Sequence, residues 1–325
     1  MADFKVLSAR ECALALLEVE KPLVLMHARP DGDTVGSCSA LLKVLKMLGR
    51  DPVYLCADPI PERLAFLLEG EREAEKDKLS EYEPVAVDIA SGAQLGGLQG
   101  MIPQPKLMID HHELGMPFAD NFIVHGESSG AEVVMQVCEE LIAMGKITMT
   151  TELAYALYAG ISSDTAGFRY SATKPETLRR AAYLMECGIN FSDINHKLFS
   201  TKSRAQLAAE GYAAENIKTA ASGKVAYAAV TRAERERLGA TFSDFETSID
   251  IIRSLRGVEI SFVIKEADDG SFRASIRSTG ANVAVICAYF GGGGHIRAAG
   301  CTISANSAEE AEKMVLEKIL STYYA

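Results

Sequence analysis

No stretch of this chain approaches 18 consecutive apolar residues, so no membrane-spanning helix is expected. The apolar run 12–17 is short, ends at Glu18 and lacks a small-residue cleavage site, so it does not read as a signal peptide. Basic residues are in deficit, with 33 Lys and Arg against 44 Asp and Glu, a net charge of −11. That excludes a protein gripping long nucleic acid through a broad basic face, because such affinity comes largely from phosphate neutralisation. A small anionic substrate in a local pocket survives the objection. The seven cysteines, at 12, 38, 56, 138, 187, 287 and 301, form no C-x-x-C pair, and their odd number leaves at least one unpaired. They read as reduced thiols in a cytoplasmic protein. Internal repeats and low-complexity tracts are missing too. The remaining class is globular: 48% apolar and 24% charged residues are ordinary for a soluble protein with sizeable cores, and 325 residues correspond to about two domains.

The order of apolar runs and helical patterns points to an α/β fold, with a doubly wound, mostly parallel sheet over residues 1–190. Runs at 23–27, 52–57, 85–89, 107–109 and 122–124 have the length and composition of buried strands. Within 37–48, Leu41, Leu42, Val44, Leu45 and Leu48 recur at helical spacing, and Gly49 ends that helix. The run 69–83 is densely charged in both signs and reads as a solvated surface segment. Residues 191–220 read as a helical linker. A smaller α/β domain is expected over 221–325, with strands at 224–230, 258–266, 272–277 and 298–304 and helices at 245–255, 283–290 and 308–320.

Ligand-type side chains gather where these elements end. In His27-Ala-Arg-Pro-Asp31-Gly-Asp33-Thr-Val-Gly36-Ser37 a strand stops at His27, and Pro30 and Gly32 force a loop before the next helix. The carboxyl end of a strand is where open α/β sheets bind ligands. Taken alone, the two Asp residues serve equally well as helix caps. Asp88 ends a second strand, and Asp110-His111-His112 ends a third. Asp164 follows a helical pattern at 153–161, in Ser-Asp164-Thr-Ala-Gly-Phe-Arg169. Together they form a mixed His and Asp set suited to two Mn²⁺ or similar divalent ions. Such cations are also a physical requirement, since so many buried carboxylates are costly to bring together unneutralised.

These motifs, with Gly291-Gly-Gly-Gly-His295-Ile-Arg-Ala-Ala-Gly300 near the C-terminus, resemble the DHH phosphoesterase family, the last being similar to its DHH-associated C-terminal domain. The resemblance spans both halves of the chain and keeps the family's motif order. Within the family the short two-domain form is similar to the nanoRNases and 3′-phosphoadenosine 5′-phosphate phosphatases. It implies His27, Asp31 and Asp88 on one metal, and Asp33, His111, Asp164 and a bridging Asp88 on the other. Asp110 would orient His111 by a hydrogen bond. His112 is the candidate for contacting the phosphoryl oxygens or protonating the leaving group, and Arg169 for pairing with phosphate. The paired metals would activate a water for in-line attack at phosphorus, with no serine or cysteine intermediate. The resemblance further implies that Gly292, Gly293, Gly294 and His295, with Arg277 and Ser278, hold the terminal nucleotide across a cleft between the two domains. Short RNA and nucleotides are the expected substrates, and a homodimer is compatible. Two departures stand out: family members often carry Asn where this chain has Arg29 and Gly115.

The glycine run can bring backbone close to a ligand and present N–H groups to an anion, but no Gly-Lys-Ser/Thr follows, so it is not a Walker loop. A rival chemistry is the G-x-S-x-G of Gly126-Glu-Ser128-Ser-Gly130, a serine hydrolase elbow with Asp164 and His295 downstream. Ser129-Gly-Ala-Glu132 is also a capping box for a helix at 133–144, which explains those serines without catalysis. Among phosphoesterases, a manganese pyrophosphatase lacks support because its basic Ser-Arg-Lys-Lys signature is missing. Cyclic dinucleotide phosphodiesterases usually carry extra modules, although cleavage of linear pApA is compatible with every motif here.

Overall fold

The computed structural model describes residues 4–113 and 115–324, apart from the side chain of His295. It divides into two compact units, Met1–Thr201 and Lys202–Ala325.

In the first unit, α1 (Ala9–Leu17) precedes five parallel strands: β1 (Pro22–Leu25), β2 (Val53–Leu55), β3 (Glu83–Val87), β4 (Leu107–Asp110) and β5 (Asp120–Ile123). Their order is β2-β1-β3-β4-β5. Each apolar run expected as a strand forms one, and both faces are covered. Val24, Val85, Val87 and Ile109 face the core formed with α1, α2 (Gly32–Met47), α3 (Gly130–Ala143) and α4 (Thr151–Asp164). Leu23, Leu25, Ala86 and Met108 face the other side, under 3₁₀ turns that supply Leu79, Leu95 and Leu98. Burial on both faces is why these strands read as continuous apolar runs rather than alternating ones. α5 (Pro175–Glu186) and α6 (Phe191–Asn195) complete the unit.

The helix expected at 37–48 begins five residues earlier, at Gly32, because the Asp31 carboxylate caps it, accepting from the backbone N–H of Asp33 and Thr34. Asp164 is likewise the last residue of α4 rather than lying beyond it. α2 and α4 meet through glycines. A Cβ on Gly36 would stand 2.7 Å from the Gly160 nitrogen and 2.9 Å from the Ala156 oxygen. Only without side chains can the two backbones approach this closely.

The second unit contains α7 (Arg204–Glu215), β6 (Lys218–Ala220), β7 (Val225–Val230), α8 (Arg232–Arg237), α9 (Ser248–Arg253), β8 (Ile260–Glu266), β9 (Phe272–Ser278), α10 (Ala284–Tyr289), β10 (Gly293–His295), β11 (Ala298–Ile303) and α11 (Ala308–Tyr323). Its mixed sheet runs β10-β11-β9-β8-β7-β6, with β7 and β8 parallel and the other neighbours antiparallel. Of the 191–220 segment, α6 belongs to the first unit and α7 to the second.

Candidate metal centre

In a sheet ordered β2-β1-β3-β4-β5, successive connections leave β1 and β3 in opposite directions, and ligands bind outside the carboxyl ends of strands at such a switch point. His27 lies two residues past β1 and Asp88 one residue past β3. Asp110 ends β4, immediately followed by His111 and His112. Asp31 and Asp33 come from the start of α2 and Asp164 from the end of α4.

Two triads, His27–Asp31–Asp88 and Asp33–His111–Asp164, hold their donor atoms within 4.8 Å of one another, and Asp88, His111 and His112 form a third such group. His27 Nε2 is 3.7 Å from both Asp31 Oδ1 and Asp88 Oδ2. His111 Nε2 is 3.5 Å from Asp88 Oδ1, 3.7 Å from Asp164 Oδ2 and 3.9 Å from Asp33 Oδ2. Asp88 thus turns one oxygen toward each histidine. These separations exceed a hydrogen bond of about 2.7–3.2 Å and leave room for an ion bound to both atoms. Both histidines are also set for ligation. The Nδ1 of His27 donates to the Ala28 oxygen at 2.9 Å, and that of His111 to the Glu127 oxygen at 3.1 Å. In a neutral ring that leaves Nε2 as the basic nitrogen, facing the carboxylates.

Two further observations test whether a cation fits. Asp88 is 3% exposed, yet its Oδ1 has no hydrogen-bond partner among the described residues. A buried orphan carboxylate oxygen is costly, and a metal ion would satisfy it. Asp88 also has φ of +54°, a strained backbone of the kind that persists at functional sites. Secondly, the cluster competes for protons. Burial favours neutral His111, but Asp88, Asp33 and Asp164 outweigh it and raise the imidazole to about 11. His27 is raised to about 9 by Asp31 and Asp88, again against burial. Burial, Asp31 and Asp88 push Asp164 up to about 7. Protons gather where positive charge is needed, and divalent cations would displace them.

One expectation fails. Asp110 does not orient His111: its Oδ1 accepts from His112 Nδ1 at 2.7 Å, and the Glu127 carbonyl takes the place beside His111. Arg169 donates through Nε to the Ala166 oxygen and lies over the Phe199 ring at 5.9 Å. Ser128 is 2% exposed, and both its amide and its hydroxyl donate to Glu132 Oε2, at 2.9 and 2.6 Å. Ser129 caps α3 by accepting from the Glu132 amide. Ser129 is thus an N-cap, but the reciprocal half of the expected capping box is shifted by one residue, the Glu132 carboxylate engaging Ser128 instead of the Ser129 amide.

Of the two departures from the family pattern, the structure explains Gly115 and not Arg29. Arg29 has φ of +56°, a conformation Asn adopts more readily, and its amide donates to Asp58 Oδ2. A Cβ at Gly115 would lie 2.3 Å from the Ala90 oxygen, so this backbone admits no side chain there.

In the second unit the six expected substrate residues gather at one end of the sheet. Arg277 and Ser278 end β9, Arg277 pairs in register with Ala298 on β11, and β11 pairs with β10. The Ser278 amide donates to the Arg297 oxygen. The glycine run is not wholly a loop: Gly293 and Gly294 lie on β10, the edge strand, opposite Gly300 and Ala299. A Cβ on Gly292 would collide with the Gly300 oxygen at 2.3 Å, whereas at Gly293 nothing lies within 4 Å. The backbone of His295 pairs with Ala298, and its side chain lies outside the described residues.

Known proteins share both units. The N-terminal domain of the DHH family matches residues 21–161, and the DHHA1 domain matches 222–321. A bifunctional oligoribonuclease and PAP phosphatase, NrnA, from Thermus thermophilus is 31% identical, over 95% of this chain and 93% of its own. The protein of that name from Bacillus subtilis is 25% identical, over 90% and 91%. The crystal structure of an exopolyphosphatase-related protein from Bacteroides fragilis superposes with a TM-score of 0.87, covering 97% of this chain and 96% of its own at 25% identity. The strand-end carboxylates and histidines, the two domain matches and the near end-to-end likeness agree, and the chain belongs to the DHH family.

Proposed function

We propose that the protein is a divalent-metal phosphoesterase that hydrolyses very short oligoribonucleotides to mononucleotides and dephosphorylates 3′-phosphoadenosine 5′-phosphate to AMP. The observation that carries the chemistry is Asp88, buried between the two triads with an oxygen toward each histidine and one of them unpartnered. His27, Asp31 and Asp88 would hold one Mn²⁺, and Asp33, His111 and Asp164, with Asp88 shared, a second. When bound, such a pair lowers the pKa of water and draws charge from phosphoryl oxygens. The choice of substrate rests on likeness to the relatives named for these two activities.

The chain's own residues do the rest. Asp110 grips His112 through Nδ1, and although burial opposes it, this carboxylate raises the His112 pKa. A protonated imidazole beside the cluster can donate to a phosphoryl oxygen or protonate the departing oxygen. Arg169 is proposed to pair with phosphate. Arg277, Ser278, His295 and the glycines of β10 are proposed to hold the nucleotide, the open space over Gly293 suiting close approach by a ligand. The net charge of −11 supports short substrates over long nucleic acid. The seven free cysteines support a reducing compartment, the cytoplasm.

The test is mononucleotide release from a 5′-phosphorylated diribonucleotide by metal-stripped protein, with and without Mn²⁺, with pApA and pyrophosphate in parallel. Mn²⁺-dependent cleavage of dinucleotides is expected. Hydrolysis of pyrophosphate alone would keep the metal centre and overturn the substrate assignment.

A further inference from the structure

A buried ion pair on α3 and α5 lies beneath the turn that orients half of the metal centre. Glu132 is fully buried, and its Oε1 accepts from Arg180 at 3.1 Å. The same Arg180 nitrogen donates to Glu127 Oε1 at 3.0 Å. The other oxygen of Glu132 takes the Ser128 amide, the Ser128 hydroxyl and, at 3.3 Å, the hydroxyl of buried Thr177. These bonds tie Glu127 and Ser128, at the start of the 127–131 segment, to Glu132, which follows it.

The upper side of that turn faces the candidate ligands. The Glu127 carbonyl accepts from His111 Nδ1. The Gly130 amide donates to Asp33 Oδ2 at 2.6 Å and the Ala131 amide to Asp33 Oδ1 at 3.0 Å. One short segment therefore sets the ring of His111 and the carboxylate of Asp33, two of the three donors of one triad. His27 and Asp31, of the other triad, take their orienting bonds elsewhere, from the Ala28 carbonyl and from the Asp33 and Thr34 amides.

We propose that Arg180 and Glu132 are positioning residues for the Asp33–His111–Asp164 half of the centre, acting through the 127–131 turn and setting metal affinity there but not at the His27–Asp31 half. The proposal rests on the two-metal reading of the site. Removing the guanidinium leaves the buried Glu132 Oε1 without its cation and takes from Glu127 Oε1 one of its two donors, Gln136 Nε2 being the other, so the carbonyl and the two amides are held less firmly while every ligand remains. Loss of such orienting contacts typically weakens metal binding about 10–100-fold.

The experiment titrates Mn²⁺ calorimetrically into the metal-stripped full chain, comparing wild type with Arg180→Met and Arg180→Lys, beside thermal melts of the metal-free proteins. Arg180→Met should bind one Mn²⁺ as wild type does and the second about 10–100-fold more weakly. Dinucleotide cleavage should then recover as Mn²⁺ is raised, and Arg180→Lys should restore part of the affinity. Wild-type affinity for both ions in Arg180→Met, whatever its melting temperature, would overturn the proposal. So would an equal loss at both sites, which marks a general structural role. If Arg180→Met does not fold, Glu132→Gln replaces it, since it keeps an oxygen for the Ser128 amide, and the same two results decide. Failure of the wild type itself to take up Mn²⁺ would overturn the two-metal reading, and this proposal with it, before any variant is compared.

Discussion

Replacing Asp164 with Asn should stabilise the metal-free protein in alkali while weakening the proposed metal centre. Burial and the charges of Asp31 and Asp88 raise the Asp164 carboxyl to about 7, against about 4 in an unfolded chain. Between those values the folded state holds a proton that the unfolded state has released. Stability therefore falls as pH rises through this window, and the loss is complete above about pH 7. About three pH units at about 1.4 kcal/mol each amount to about 4 kcal/mol. The side chain is 35% exposed, and screening by solvent reduces the cost to about 2 kcal/mol. Asn carries no charge at any pH. In EDTA at about pH 8, Asp164→Asn should therefore melt above wild type by about 4–8 °C, with the gap closing toward about pH 4. With Mn²⁺ the order should reverse, because only wild type keeps all three donors of that triad. Metal-free Asp164→Asn melting at or below wild type at about pH 8 would refute the argument that crowded carboxylates hold this site under electrostatic stress.

Asp88→Ala should abolish hydrolysis, since it removes a donor of one triad whose other oxygen faces His111 of the second; near-normal turnover with Mn²⁺ added would refute the two-metal assignment. Gly293→Val has open space around its new side chain, so the protein should fold and bind Mn²⁺ while losing affinity for a dinucleotide; unchanged dinucleotide binding in a calorimetric titration would remove this strand from the substrate site. Gly36→Ala forces a Cβ to within 2.7 Å of the Gly160 backbone, and denaturant unfolding should show a loss of about 1–3 kcal/mol from overpacking, less the gain of about 1 kcal/mol in helix propensity. Ser128→Ala should retain turnover at saturating Mn²⁺, and loss of activity with metal binding intact would revive the serine hydrolase reading.

Most of the first unit was legible because its strands are buried on both faces: runs such as Val85–Ala86–Val87 have no polar alternation to obscure them, and Asp88, which follows this run, marks the sheet edge where ligands bind. Helix starts were less legible. Asp31 reads equally as cap and as ligand, and in the structure it caps α2 while lying beside His27. Glycine is depleted in strands, yet pairing with β11 makes half of the glycine run a strand, which its composition does not show.

Residue types and spacings by themselves determined that histidines and carboxylates would end neighbouring strands, because that depends only on where apolar runs stop. Tertiary structure decided who holds whom. Asp110 lies beside His112 rather than His111, the backbone of Glu127 orients His111, and Arg180 reaches Glu127 and Glu132 across some fifty residues of sequence. Such partners are chosen by the path of the backbone after packing. A carbonyl, which every residue carries, leaves no mark in a sequence, whereas a carboxylate at the end of an apolar run does.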